Sequence, residues 1–413
     1  MSKRQQREDL AKDLLNSPVV DIHKAITVGH IWKVAKYFYP QKTMYKKLLG
    51  SIDKQWLVNR LDDTMKWIIN DRISSGIGKG GWAKSEAAWM AHAFGEEAGK
   101  KTNESILTTV VAMEALHRHN ALMKKMKRKV AFYQWNKIVD ELLPFLIGKK
   151  RYSEESGKAG KLGSIGSDGE WKPNYDYRHT ALILRLWSLS SRWNDYFDLT
   201  KNILLSSFDD KDFVDWRGER TVTLVMAHNA FRLIQEKSVA NDQDLLSKIG
   251  IVGGKIVNSF DTELVGWPAK SVDRQFTNEM RLRTRNYYTL LTLAMIPQEW
   301  RGENEELSEQ MDMSLKHTLE HYVCNDDSEN ISYIRRPDDN KPDFSATMIA
   351  FSAIARKVKL TDDEEKILKN ITKYVLSRYE KDDFNYNDPY DQPYCWSAAH
   401  FVMDLCEVLL DDC

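Results

Sequence analysis

The residues best suited to move a proton fall in one short stretch of this 413-residue chain: Asp168, Glu170, Asp176 and His179. A carboxylate next to a histidine, partly withdrawn from water, serves as general acid or base, which makes Asp168, Asp176 and His179 the candidate catalytic residues. Their plainer role is structural, with aspartate capping a helix and His179 a satisfied neighbour. A glycosidase would need two carboxylates on one mouth, for example Asp176 with Asp343 or Asp388. Arginines supply a second kind of chemistry. Arg178, Arg220, Arg281, Arg283 and Arg285 recur near the starts of apolar helices, with Arg217, Arg274, Arg335 and Arg336 close by. The planar guanidinium fork matches phosphate or carboxylate, so the first five are candidate ligand-binding residues. The competing role is ion pairing between repeats with Asp168, Glu170, Asp176, Glu219, Glu279 and Asp343. Tyr287, Tyr390, Tyr394 and Trp396 complete the candidate site, because aromatic rings can line a cavity for an isoprenoid chain, a sugar or a nucleobase.

These residues are positioned by a unit that recurs about six times: an amphipathic helix, a polar loop carrying Asp, Gly or Trp, and a second, more apolar helix. Loop and second helix are legible in GKGGWAKSEAAW…SILTTVVAMEAL, SDGEWKPNYDYRHTALILRLWSL, DDKDFVDWRGERTVTLVMAHNAF and DTELVGWPAKSVDRQF…NYYTLLTLAMI, and more weakly in the last two units. A helical pair that cannot bury its own apolar face must stack on its neighbours. Periodicity predicts first helices over 54–73, 129–147, 193–206, 242–259, 306–322 and 362–379. It predicts second helices over 103–117, 177–190, 218–235, 283–296, 343–357 and 393–410, and no strand. The second helices are the more apolar, as expected of an inner ring within a solvated outer one. Such a ring gathers the starts of its inner helices at one mouth, where free N–H groups and aligned dipoles favour anions. The loop tryptophans Trp82, Trp89, Trp171, Trp216 and Trp267 read mainly as wedges between hairpins. The Gly-, Ser- and Lys-rich stretch 148–169 reads as a loop beside the mouth.

Zero net charge, from 60 basic and 60 acidic residues, argues against a generic polyanion-binding surface. No apolar run reaches the roughly 20 residues a membrane span needs, and the first residues lack the apolar core of a secretory signal, so the expected location is cytoplasmic. The four cysteines show no CxxC spacing and read as free thiols.

The loop Asp168-Gly169-Glu170-Trp171, followed by a helix opening Thr180-Ala181-Leu182, resembles the repeat of the prenyltransferase and squalene-cyclase superfamily. That resemblance implies an all-α, (α/α)6 toroid of six helical hairpins over residues 54–413, preceded by an N-terminal helical extension over 1–53. It does not fix a function. The DxDD acid of the cyclases is not found; Asp209-Asp210-Lys211-Asp212 and Asp362-Asp363-Glu364-Glu365 are the nearest acidic runs. No zinc set like that of the protein prenyltransferases is found either. Cys395 and His400 lack a third ligand, and Glu114, His117 and His119 read as a helix end rather than a metal site. No metal is assigned and the cofactor is unknown. The expectation is a toroid that holds a small anionic or amphipathic ligand, phosphorylated or isoprenoid in character, in its central cavity, as a terpenoid-cyclase-like or prenyltransferase-like enzyme or as a sensor. The alternatives are a non-catalytic scaffold for a protein or nucleic-acid partner, and a six-hairpin glycosidase.

Overall fold

The computed structural model describes residues 52–72, 82, 106–128, 138, 140–141, 163–165, 171–173, 177–206, 220–237, 242–268, 278–296, 300, 304–357, 360–385, 388 and 390–412. They are mostly helical. In chain order the helices are α1 (Lys54–Asn70), α2 (Ile106–Lys125), α3 (Tyr177–Ser188), α4 (Asn194–Ser206), α5 (Arg220–Lys237), α6 (Gln243–Asn258), α7 (Asn278–Met295), α8 (Glu305–Tyr322), α9 (Phe344–Ala355), α10 (Asp362–Lys381) and α11 (Cys395–Asp412). Two short antiparallel hairpins interrupt them: β1 (Gly163–Ile165) with β2 (Trp171–Pro173), and β3 (Val323–Asp326) with β4 (Ile331–Ile334).

Both hairpins depart from the strand-free expectation. β1 lies inside the stretch read as loop, and β3–β4 occupies the loop between α8 and α9. Ribbons of three or four residues are too short to show alternation in a sequence window. The expected N-terminal extension lies outside the described residues apart from Ile52 and Asp53. So does the first helix of the second unit, apart from Ile138, Asp140 and Glu141.

The apolar helices pack in a circuit. α2 contacts α3, α3 contacts α5, α5 contacts α7, α7 contacts α9, α9 contacts α11, and α11 packs back on α2. α9 shows why they sit inside, since every residue from Phe344 to Ala355 is buried. Burying one such Ile, Met or Phe side chain contributes about 1.5–3 kcal/mol, so a helix apolar all round is stable only when surrounded. The amphipathic helices lie against this circuit, α4 on α3, α6 on α5, α8 on α7 and α10 on α9. Their starts are set locally. Asp53, Asp242 and Asn304 accept hydrogen bonds from N–H groups of the first turn, and Thr361 with Glu364 forms a reciprocal capping box on α10.

The loops between paired helices reuse one device. Trp82 Nε1 donates to Ile68 O near the end of α1 at 2.6 Å, and its backbone N–H donates to Thr109 Oγ1 of α2 at 3.1 Å. Trp267 Nε1 likewise donates to Ile256 O of α6 at 3.1 Å, and its N–H to Thr289 Oγ1 of α7 at 2.9 Å. Both indoles are fully buried. Each wedge donates to a carbonyl of the last helical turns, at Ile256 one that also accepts from Ser259, and ties the loop to the next helix. In the fifth unit β4 takes the place of tryptophan, with Ile334 N–H donating to Thr347 Oγ1 at 3.0 Å.

Candidate functional site

The starts of α7, α9 and α11 meet at one end of the circuit. α7 begins five residues before the predicted Arg283, so Arg281 joins Arg283 and Arg285 on the helix and the three are dealt to different faces. Arg281 is exposed, Arg283 is half-buried and Arg285 is buried.

Arg285 does not face a ligand site. Its guanidinium donates to Leu264 O at 2.9 Å, Asn286 Oδ1 at 3.0 Å, Thr318 Oγ1 at 2.6 Å and Ser314 O at 3.3 Å, and also to Val265 O. Those bonds hold the loop Asp261–Gly266 against α7, including Val265, whose φ of 51° is unfavourable for a β-branched residue. Gly266 is required there, because a Cβ would meet Thr289 Oγ1 at 2.4 Å and Arg285 Nε at 3.0 Å. Burial lowers the Arg285 pKa to about 10, so it remains a cation at neutral pH.

Arg283 points the other way. Its Nη1 donates to the Tyr390 hydroxyl at 2.6 Å, and Nη2 pairs with Asp338. The guanidinium carbon stands 4.4 Å from the Tyr390 ring centroid, and Arg336 stands 4.6 Å from that same centroid. Two cations therefore stack on one tyrosine. Arg336 is anchored by Asp388 at 2.6 Å, Asp339 at 3.3 Å and Pro342 O at 3.0 Å. Between them Asp343 caps α9, its Oδ1 accepting from Ala346 N–H at 2.9 Å. Burial raises the Asp343 pKa to about 6, against the lowering influence of that N–H group and of Arg336 and Arg283. It is a carboxyl poised near neutrality beside two guanidinium groups. Tyr394 and Trp396 are buried where the chain enters α11, and burial raises the Tyr394 hydroxyl pKa.

The structure thus brings Arg283, Tyr390 and Tyr394 together with Asp343 and Asp388, which sequence reasoning had named as alternative carboxylates. Arg336, read only as a nearby loop arginine, belongs at the centre. The signal for it was its position seven residues before Asp343 at a helix start. Tyr287 is buried on α7, packed edge-to-face on Tyr288 with ring centroids 5.6 Å apart. Arg178, His179 and Arg220 sit in the first turns of α3 and α5, with side chains outside the described residues. Asp168 and Asp176 lie outside them altogether. The helix-end string separates: Glu114 binds Arg185, whereas His119 Nε2 stands 3.3 Å from Asp62. Among the described residues no group of three or more His, Cys, Asp or Glu side chains is arranged to hold a metal ion. Among the same residues no helix is long and apolar enough to cross a membrane.

No protein-family model and no curated protein matches the chain. Among solved structures it is similar to a type II terpene cyclase from Scytonema, determined in complex with merosterolic acid A as product. The identity is 11%, 86% of this chain and 98% of that chain are covered, and the TM-score is 0.49.

Proposed function

We propose that residues 54–413 form an (α/α)6 toroid, preceded by a separate N-terminal helical segment over 1–53, and that the toroid binds a small anionic or amphipathic ligand at the mouth where α7, α9 and α11 begin. The observation that carries this reading is the stack of Arg283 and Arg336 on Tyr390 beside the buried carboxyl of Asp343. A phosphate or carboxylate head would take the place of Asp338 on Arg283, since that aspartate sits on a part-exposed turn and can swing away. The apolar part of the ligand would lie toward Tyr394 and Trp396. Asp343, with a pKa near the working pH, could hand a proton to such a ligand, which would make the protein an enzyme of terpenoid-cyclase or prenyltransferase character; without that step it is a sensor.

One observation favours the scaffold alternative. Both arginines already have carboxylate partners, as a purely structural clasp between repeats requires. Native mass spectrometry of the gently purified protein and of Arg283→Gln separates the two. The ligand reading expects a stoichiometric small anion on the parent protein that is lost in the variant, with the thermal unfolding midpoint nearly unchanged. A clean apo mass with a co-purifying protein or nucleic acid, or a variant that unfolds, supports the scaffold.

A further inference from the structure

α8 is an outer helix with two unlike faces. Its inner face is fixed by the buried Leu307, Met311, Ser314, Leu315 and Thr318, and by Arg285, which donates to Thr318 Oγ1 at 2.6 Å and to Ser314 O at 3.3 Å. Near its C-terminal end the chain reads His317-Thr318-Leu319-Glu320-His321, with the two histidines four residues apart and therefore one above the other on a single stripe. His317 is half-buried and His321 is exposed, so ions in solution reach the pair without any internal cavity.

The two rings are already drawn together. Their centroids lie 4.4 Å apart with 51° between the planes, and the Tyr322 ring stands edge-on to His317 at 6.1 Å. No hydrogen bond among the described residues occupies either imidazole. Burial lowers the His317 pKa, as do the charges of Arg285 and His321, against the opposing influence of Glu320. His317 is therefore neutral at pH 7 and keeps one ring nitrogen free of a proton. Rotamer freedom that a chelated ion would have to remove is already lost, which is preorganisation in favour of binding.

The geometry selects a metal ion. Two imidazoles bonded side by side to one ion at about 2.0–2.1 Å hold their ring centres roughly 4.5–5 Å apart, so the observed spacing needs only a small adjustment. Imidazole suits copper, nickel and zinc, whereas magnesium and calcium prefer oxygen, and copper(II) stands highest in affinity among the divalent ions. Three cations lie nearby and each is engaged: Arg285 by Thr318 and Ser314, Arg335 by His321 O at 2.7 Å and Asn340 Oδ1 at 3.2 Å, and Lys316 by Glu320 at 3.8 Å. We infer that His317 and His321 form a two-imidazole surface site for a divalent transition-metal ion, copper(II) most tightly, separate from the arginine mouth. The order His-x-x-Glu-His also supplies metal ligands and a base in some zinc hydrolases, whose catalytic sites add a third protein ligand. Among the described residues no third His, Cys, Asp or Glu joins this pair, so water completes the coordination and the ion is exchangeable.

The test titrates the full chain with copper(II), zinc(II) and, as a hard-cation comparison, magnesium, in a weakly coordinating buffer. Equilibrium dialysis counts bound ions, and electron paramagnetic resonance of the copper(II) protein counts nitrogen ligands. The chain carries 10 histidines, so the readout is the difference between the parent and its variants. The expected result is one equivalent of copper(II) that is weakened roughly tenfold or more in His317→Gln and in His321→Gln and is unchanged in Arg283→Gln. Zinc should follow the same pattern with lower affinity, and magnesium should not bind there. His321 is exposed, so His321→Gln serves alone if His317→Gln disturbs the packing against Tyr322; the copper spectrum should then lose a nitrogen ligand in a folded protein. Copper binding indifferent to His321→Gln, a loss in only one of two folded variants, or equal competition from magnesium would overturn the assignment.

Discussion

At the starts of α7, α9 and α11, and again where α2, α3, α11 and the end of α9 meet, arginine meets carboxylate, yet the two regions use the pairing differently. At the mouth the acidic partners of Arg283 and Arg336 are contributed largely by part-exposed turns, Asp338, Asp339 and Asp388, and a tyrosine ring lies between the cations. In the interior Glu114 and Asp404 are sealed beneath the arginines that neutralise them. Burial alone would raise the Glu114 carboxyl pKa, but Arg185 and Arg118 together hold it below its ordinary value. A pair that water can replace is worth little to stability and is available for exchange with a ligand. A pair whose carboxylate water cannot reach is locked in, because the buried group depends on its partner for compensation.

The largest effect that tests this contrast is expected for Glu114→Gln. It leaves Arg185 and Arg118 without their shared anion and should cost about 3–5 kcal/mol in urea unfolding. A loss under 1 kcal/mol would mean that water reaches the interior cluster after all. Acid should produce the next effect. Burial lowers the pKa of both His400 and His228 to about 3, and His228 stacks on Trp300 at 3.7 Å. Unfolded, each titrates near 6.5, so below that pH the unfolded chain binds more protons, and each histidine removes about 1.4 kcal/mol of stability per pH unit until its folded pKa is reached. Asp343 acts in the opposite sense. Its folded pKa of about 6 exceeds the ordinary aspartate value, so the folded state takes up its proton first and gains stability as pH falls through that window. The urea midpoint should therefore fall between about pH 6.5 and about pH 5, and His400→Phe should flatten that fall; an unchanged slope would place His400 in contact with water. The smallest effect is expected at the mouth, where Arg283→Gln should change stability by no more than about 1 kcal/mol. A loss as large as that of Glu114→Gln would erase the distinction between the two regions.

How far the chain could be read in advance depends on where each interaction closes. The alternation of amphipathic and apolar helices was legible because periodicity is local. α4, α6, α8 and α10 fall within one or two residues of their predicted spans, apart from minor differences at the ends. The role of a loop tryptophan as a wedge was legible for Trp82 and Trp267, since a position that recurs with the unit implies a task that recurs with it. The candidate site was legible only as a set of residue types. Arg281, Arg283 and Arg285 are indistinguishable in sequence, and the extra turn at the start of α7 sends one to water, one to Tyr390 and one into a web of carbonyls.

The sequence by itself determined the helices, their caps and which of them must be buried, because those depend on residues within a turn or two of each other. The tertiary structure decided the partner of each charge. Glu114 finds Arg185 across 71 positions, and Arg118 finds Glu407 across 289. Whether a guanidinium holds the fold or faces a ligand is set by the dielectric around it and the nearest carboxylate, and both exist only once distant helices have packed.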